Sequence, residues 1–294
     1  MTETTYISVG TGGIQPDPSP LEGTDTGPRD PVGALGEEGV PEDSADTPEL
    51  IPTNVGSQVE DERSRFSSAI WYNKVQSKRI ILAGCGGIGS YVGFLLGRLS
   101  PDTLLMYDPD TVEAANISGQ LYFNRHIGQN KASALRRIIT NSGIFAAISV
   151  SSSRYTMESP TLPIMICGFD NMEARKVFYH NWKAAVECVP TDERGEYLFI
   201  DGRLAAEEFQ VFAIQGWDTQ SMSRYEKEWL FSDEEAEATL CSYKQTSYMA
   251  NMIGSVVVNI FVNFCANECN PVLPYEIPFM TTYRGDYMDF KVIR

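Results

Sequence analysis

The chain has 294 residues, of which 43% are hydrophobic, enough to bury one large core or one core with appendages. Its net charge of −16 argues against binding to nucleic acid or to an anionic membrane surface, because both are polyanions. The first residues, MTETTYISVG, have neither the basic flank nor the apolar stretch of a secretory signal, so we expect a cytoplasmic protein.

Residues 1–58 have the composition of a disordered leader. They hold half of the 16 prolines, and eleven acidic residues against a single arginine give them a net charge of −10. Their apolar residues are sparse and show no period, so the segment cannot bury enough surface to offset its ordering entropy. We predict a disordered acidic leader, either a solvated tail or a partner-binding signal, followed by one domain over residues 59–294.

Beyond the leader, short apolar runs alternate with amphipathic segments. A short helix or turn is predicted within 63–76, with strands at 79–84, 103–108, 147–153, 163–170, 197–202 and 209–214, and helices at 90–99, 129–143 and 171–187. A long apolar segment at 247–267 contains Asn251, Asn259 and Asn263, which favour a core helix over a membrane span, and residues 281–294 indicate a hairpin. This order predicts an α/β fold with a doubly wound, largely parallel, Rossmann-like sheet.

The segment RIILAGCGGIGS, at 79–90, places a glycine-rich loop between the first strand and a helix. Gly84, Gly86 and Gly89 fit the G-x-G-x-x-G pattern, whose glycines permit a tight turn, a close phosphate and close helix–strand packing. Asp108 ends the next strand, where a carboxylate can bind ribose hydroxyls. Together they predict adenosine binding, which leaves NAD, FAD, S-adenosylmethionine and ATP as candidates.

Four motifs follow one another through this region: GCGGIGS at 84–90, YDPDTVEAANISGQLYF at 107–123, IGQNKA at 127–132 and CGFDNMEAR at 167–175. They resemble the motifs of the ThiF/MoeB and ubiquitin-activating enzyme superfamily, in which the last three read D-x-D-x-V…N-L-x-R-Q-x-L-F, I-G-x-x-K and D-N-x-x-x-R. The resemblance implies an adenylyltransferase. Such an enzyme uses ATP and Mg²⁺ to form an acyl-adenylate on the C-terminal glycine carboxylate of a small ubiquitin-like or sulfur-carrier protein.

The resemblance also implies roles for individual residues. Asp108 would hold the ribose, Lys131 would neutralise the α-phosphate and Asp170 would hold magnesium. The other nucleotide contacts that it implies are Gly84, Gly86, Gly87, Gly89, Asp110, Asn116, Gln120 and Asn171. The residues themselves agree for two of these, because Lys131 lies in the first turn of a predicted helix and Asp170 closes a buried strand. The alternatives are a solvated surface lysine for Lys131 and a helix N-cap for Asp170.

One position departs from the motif. Gly119 stands where N-L-x-R-Q has an arginine, and glycine cannot stabilise charge in a transition state. The replacement is either Arg125, a few residues on, or Arg65 or Arg63, which would reach the ATP of a neighbouring subunit in the homodimer that the resemblance implies. If neither serves, the protein is a non-catalytic, nucleotide-binding scaffold. A dehydrogenase that uses NAD ranks third, because it gives no reason for the last two motifs.

Cys241 is the candidate for a second catalytic step. The resemblance implies that ubiquitin-type activating enzymes pass the adenylated carboxylate to a cysteine as a thioester. Cys241 lies in the polar stretch EEAEATLCSYKQ, near Lys244 and just before the last apolar helix. A buried, unreactive cysteine is the alternative. The C-x-x-C pairs that bind zinc in the family are missing, so we expect no structural zinc.

Arg203 lies in the stretch IDGRLAAEEFQV, close to a predicted strand end. We expect it to form a salt bridge with Glu207, four residues further on. The alternative is that Arg203 lines the channel through which the carrier's C-terminus reaches the nucleotide.

Overall fold

The computed structural model describes residues 68–142, 147–231, 246–269 and 272–294, so the predicted leader at 1–58 lies outside the described residues. The strands are β1 (Arg79–Ala83), β2 (Thr103–Tyr107), β3 (Ile148–Ser151), β4 (Ile164–Cys167), β5 (Leu198–Ala205), β6 (Glu208–Gln215), β7 (Met280–Arg284) and β8 (Asp289–Ile293). The helices are α1 (Tyr72–Gln76), α2 (Gly87–Leu99), α3 (Lys131–Asn141), α4 (Met172–Cys188), α5 (Thr219–Glu228) and α6 (Ser247–Asn267).

The eight strands form one mixed sheet in the order β3-β2-β1-β4-β5-β6-β7-β8. From β3 to β5 neighbouring strands are parallel, and from β5 to β8 they are antiparallel. Ala83 at the end of β1 pairs with both Tyr107 and Cys167, so β1, β2 and β4 end at the same level. Successive strands of the chain are added on one side of β1 as far as β3 and then on its other side from β4 onward. Ligands of such sheets bind at the carboxyl edge beside this change of direction.

Two apolar layers cover the sheet. On one face, α2, α3 and α6 bury side chains such as Val92, Leu135 and Ile253 against the strands. On the other face, α4 and α5 do the same with an aromatic cluster that includes Trp182 and Tyr225. Helices on both faces confirm the predicted doubly wound α/β fold.

Helix α6 is long and apolar enough to cross a membrane, with a mean hydropathy of 1.6 over its most apolar window. However, 61% of that window is buried inside the protein. A Cβ added to Gly254 of α6 would lie 3.0 Å from the Cβ of Tyr91, which shows how closely α6 packs on α2. The burial of α6 is that of a core helix.

The predicted strands and the C-terminal hairpin are present, with bounds that shift by a few residues. Within 63–76, the described helix is only α1. Helix α5 was not predicted, because its sequence TQSMSRYEKE is polar and buries only Met222 and Tyr225. The sheet is parallel only as far as β5, since the short β5–β6 connection forces an antiparallel pair.

Candidate active site

The loop after β1 turns sharply at Gly84, which has a φ of 87°. Its N–H donates to the carbonyl of Tyr107 at 2.9 Å, so the loop begins as an extension of the parallel pair. A Cβ at this position would lie 2.6 Å from the carbonyl oxygen of Gly168, in the loop that follows β4. Gly84 is therefore required both by its backbone conformation and by the close approach of the β4 loop.

The other glycines of the loop bring α2 against β1 and leave one side open. A Cβ at Gly89 would overlap the carbonyl oxygen of Gly84, so only glycine allows α2 to start this close to the strand. Gly86 precedes the first helical residue, Gly87, and a Cβ there would meet only Nε2 of Gln120, at 3.9 Å. The N-terminal amides of a 13-residue helix therefore border an open space, which suits a phosphate.

Asp108 follows β2 and joins two turns. One carboxylate oxygen accepts the N–H of Cys85 at 2.6 Å, and the other accepts the N–H of Asp110 at 2.8 Å. Burial raises the pKa of Asp108, although these two hydrogen bonds and the charge of Lys131 oppose the shift. In the structure Asp108 thus holds the glycine loop in place, and its predicted contact with ribose would use the remaining lone pairs.

Lys131 is the first residue of α3. Its Nζ lies 3.0 Å from the carboxylate of Asp110, and only 11% of its side chain is exposed, against 62% for that of Asp110. The backbone N–H of Lys131 donates to the carbonyl of Asp110 at 2.9 Å. Asn130, the N-cap of α3, donates to the carbonyl of Asp108 at 2.7 Å and accepts the N–H of Ser133 at 3.1 Å. These contacts place a largely buried cation beside Asp108 and the glycine loop.

Asn116 and Gln120 lie on the turn that follows the D-x-D motif. The side-chain oxygen of Asn116 accepts the N–H of Glu113 at 2.8 Å, so it is occupied within its own turn. Gln120 lies beside Gly86, and its Oε1 is buried without a hydrogen-bond partner among the described residues. A buried amide oxygen in that condition indicates that Gln120 faces a ligand or ordered water.

Asp170 lies in the loop after β4, two residues beyond the glycine that approaches Gly84. Asp170 is exposed, and its carboxylate accepts a 3.2 Å hydrogen bond from Asn171. The N-cap of α4 is Asn171, whose oxygen accepts the N–H of Ala174 at 2.9 Å, so the alternative of Asp170 as N-cap was wrong. The carboxylate of Asp170 thus lies exposed at the sheet edge and is not the N-cap of α4.

The donor set at this edge fits Mg²⁺ only if phosphates complete it. Within the described segments no group of three or more His, Cys, Asp or Glu side chains could hold a metal by itself. Mg²⁺ commonly takes one or two carboxylates and completes its shell with substrate phosphates and water. Asp170, exposed next to the glycine loop, is compatible with that arrangement.

Of the candidates for the missing arginine, Arg125 lies within the described residues, whereas Arg65 and Arg63 do not. Gly119 is buried in its turn, while Arg125 is exposed and its guanidinium lies 4.8 Å from the centroid of the Phe123 ring. Among the contacts of the described residues, none joins the Arg125 side chain to the glycine loop. Arg65, Arg63 and the thiol candidate Cys241 lie outside the described residues. Their roles stay predictions.

The described cysteines do not offer an activated thiol at the site. Burial raises the pKa of Cys85 well above its usual range, and the nearby carboxylate of Asp108 adds to the shift. Burial also raises the pKa of Cys167, and it raises that of Cys265 to about 12. These thiols are protonated at neutral pH and therefore poor nucleophiles.

The family model described as ThiF family matches residues 60–294, about four-fifths of the chain. The chain belongs to the ThiF family. The match covers the glycine loop, Asp108, Lys131 and Asp170 in a single span.

Curated relatives of this ThiF-family chain align over shorter segments. The ubiquitin-like modifier-activating enzyme 5 of Oryza sativa subsp. japonica is 33% identical over 81 residues, which cover 28% of this chain and 19% of the relative. The protein of the same name from Caenorhabditis briggsae is 26% identical over 120 residues, covering 35% and 28%. The matched part thus spans under a third of the length of these relatives.

Solved structures agree over more of the chain. PaaA superposes with a TM-score of 0.58 and 13% identity, covering 85% of this chain and 76% of PaaA. MccB of E. coli, solved with ATP, gives a TM-score of 0.55 at 13% identity, covering 76% and 65%. At this identity the likeness establishes the fold alone.

Sequence reasoning missed a buried ionic network beside the site. Arg175, the arginine of D-N-x-x-x-R, donates to the carboxylate of Asp201 and to the carbonyl of Phe169, the residue before Asp170. The second oxygen of Asp201, which is fully buried, accepts bonds from Arg203 and from the hydroxyl of Tyr225, each at 2.8 Å. The network therefore fixes the backbone that precedes Asp170.

The predicted salt bridge between Arg203 and Glu207 was wrong. Arg203 pairs with Asp201 because residues two apart on a strand point to the same face, while Glu207 lies in the turn beyond β5. The D-x-R spacing at the end of a predicted strand was the signal that could have identified the pair.

Proposed function

We propose that this chain is an ATP-dependent adenylyltransferase that activates the C-terminal carboxylate of a small ubiquitin-like or sulfur-carrier protein. One observation carries the proposal: the glycine loop, Asp108, Lys131 and the loop bearing Asp170 meet at one sheet edge. The loop is joined to Asp108 by the hydrogen bond from Cys85, and its Gly84 packs against the β4 loop. The curated relatives, named as ubiquitin-like modifier-activating enzymes, support a protein carrier as the second substrate.

In the proposed reaction, a carboxylate oxygen of the carrier attacks the α-phosphorus of ATP. The bond from that phosphorus to the bridging oxygen of the β-phosphate breaks, and pyrophosphate leaves with its electron pair. Amides of the glycine loop and of the start of α2 would bind the phosphates. Lys131 would bind an α-phosphate oxygen, either in place of the Asp110 carboxylate or together with it. The charge of Lys131 is then present where negative charge develops. When bound at Asp170, Mg²⁺ would neutralise the phosphates and favour departure of pyrophosphate.

A groove of about 370 Å³ lies where β5 extends past the end of β4. It is lined by residues of β5, β6 and β7, among them Arg203, Gln210 and Thr282. The groove lies beyond the point where β5 passes the ends of β1 and β4, and Gly202 of β5 packs on Ile88 in the first turn of α2. We place the extended tail of the carrier in this groove, which keeps the alternative role of Arg203 as a channel residue.

The direct test measures ATP–pyrophosphate exchange by the full-length protein. Purified ubiquitin-like and sulfur-carrier proteins are added one at a time, with and without magnesium. Exchange that requires both a carrier and magnesium supports the proposal. Binding of radiolabelled ATP without exchange by any carrier would instead support the nucleotide-binding scaffold, which the buried Gly119 and the exposed Arg125 favour as the second candidate. Preferential binding of NAD would contradict both.

The missing arginine can be identified by mutation. We expect either Arg125→Ala or Arg65→Ala to lower exchange by about 100-fold, because one of them supplies charge to the transition state. If Arg65 acts across a homodimer, co-expression of Arg65→Ala with Lys131→Met chains should restore part of the activity, since a mixed dimer has one intact site. Unchanged exchange in both arginine variants would remove these two assignments.

We also propose that Cys241 receives the activated carrier as a thioester. The expected result is a carrier adduct on the wild-type protein that survives a non-reducing gel and disappears on treatment with a thiol reagent. Cys241→Ser should abolish this adduct and leave ATP–pyrophosphate exchange intact, because adenylation precedes the thiol step. Cys188→Ser, which changes an exposed cysteine, serves as the control. An adduct that persists in Cys241→Ser would contradict the proposed thioester site.

Finally, we propose a cytoplasmic homodimer. The support for the dimer is the family resemblance, together with the need for an arginine that a neighbouring subunit could lend. The support for a reducing compartment is that all five described cysteines are free.

A further inference from the structure

We propose that Tyr122 is a positioning residue that fixes Lys131 relative to the glycine loop; the inference rests on the proposed function. Tyr122 is buried, with 2% of its surface exposed. Its hydroxyl donates to the carbonyl of Cys85 at 2.6 Å and lies 3.2 Å from the carbonyl of Lys131. One side chain thus joins the loop that would bind phosphate to the first residue of α3.

Other hydrogen bonds also hold the backbone of the two residues that Tyr122 contacts, Cys85 and Lys131. Cys85 donates its N–H to Asp108 and gives its carbonyl to Tyr122, so its flanking peptide groups are fixed by two different elements. Lys131 donates its N–H to the carbonyl of Asp110 and has its own carbonyl within reach of Tyr122. Tyr122 therefore holds the Lys131 backbone on the side that Asp108 and Asp110 do not contact.

The hydroxyl, rather than the ring, carries this role. Both contacts are made by the hydroxyl oxygen, and phenylalanine can fill the same apolar space but cannot donate a hydrogen bond. The ring belongs to the apolar cluster that also contains Val92 of α2 and Leu135 of α3. Removing only the hydroxyl therefore preserves the packing and releases the link between the loop and α3.

The consequence is an effect on rate with little effect on ATP affinity. The amides of the loop and the start of α2 would still bind the triphosphate, so the KM for ATP should change by less than about three-fold. The charge of Lys131 would be less well placed where the transition state needs it, and small displacements of a catalytic group are costly. We expect Tyr122→Phe to lower kcat for ATP–pyrophosphate exchange by about ten-fold.

A double-mutant cycle separates positioning from general destabilisation. If Tyr122 acts through Lys131, Tyr122→Phe should lower exchange about ten-fold in the wild type and less than two-fold in a Lys131→Met background. Tyr155→Phe is the matched control, because it removes a 3.0 Å bond from a buried tyrosine to the carbonyl of Pro160, in the other apolar layer. Equal losses in both backgrounds, or an equal loss in Tyr155→Phe, would overturn the proposal.

Hydrogen exchange tests the link that Tyr122 makes between the glycine loop and α3, without relying on catalysis. In Tyr122→Phe, and equally in Tyr122→Leu, amides of residues 84–90 and 127–134 should exchange at least five-fold faster, while those of α4 stay as in wild type. Unchanged exchange of both segments would overturn the proposed role. If the wild-type protein adenylates no carrier, the proposed function fails while this measurement still decides whether Tyr122 joins the loop to α3.

Discussion

Lys131→Met is expected to lower ATP–pyrophosphate exchange by about 1,000-fold and to leave the fold intact. The lysine is the cation that α3 places beside the glycine loop, and removal of one preorganised group that stabilises transition-state charge costs about 100- to 1,000-fold in rate. Methionine keeps the length and the apolar stem of the side chain. The partner that loses its charge pair, Asp110, is 62% exposed and remains hydrated, so the free energy of unfolding should change little.

The measurement is exchange at saturating ATP with the carrier that supports the highest wild-type rate, alongside a thermal melt. Lys183→Met is the matched control, because Lys183 is also partly buried and paired with a carboxylate, that of Glu226 at 2.6 Å, but it joins α4 to α5. A Lys131→Met protein that retains more than a tenth of the wild-type rate would mean that another cation faces the α-phosphate.

The parts of this site that the sequence predicts are those in which structure follows from neighbours along the chain. A buried strand, a run of glycines and the start of a helix place Gly84, Gly86 and Gly89, and the end of the next strand places Asp108. Parallel strands bring their carboxyl ends to one edge, so the side chains that follow β1, β2 and β4 could be assigned to a common site before any coordinates.

The remainder depends on contacts between distant segments. Tyr122 bonds to a carbonyl 37 residues away, and Arg175 bonds to a carboxylate 26 residues away, and no local pattern reports either contact. The sequence offered Asp170 as the N-cap of α4, but the adjacent Asn171 is an equally good N-cap, and only the direction of the chain after β4 decides for Asn171. Helix α5 is held by two buried side chains on a polar background, which gives too weak a period to predict.

Gly89→Ala tests the closest glycine contact among the described residues and is expected to destabilise the protein by about 3 kcal/mol or more. A methyl group at this position would overlap the carbonyl oxygen of Gly84, and backbone cannot rotate away as a side chain can. Either α2 moves off β1 or the loop opens, and each movement also separates Gly84 from the β4 loop that carries Asp170. ATP binding should therefore fall together with stability.

Urea unfolding and binding of radiolabelled ATP measure the two effects, with Gly195→Ala as the control. Gly195 lies in the short 3-10 helix Arg194–Glu196, where an added Cβ meets nothing within 4 Å, so the same chemical change should shift the free energy of unfolding by less than about 0.5 kcal/mol. Loss of ATP binding in Gly89→Ala with unchanged stability would indicate that the loop opens while α2 stays in place. Equal stability and equal binding in the two variants would contradict the contact between α2 and the turn at Gly84, and with it the arrangement that brings Asp108, Lys131 and Asp170 to a common ligand.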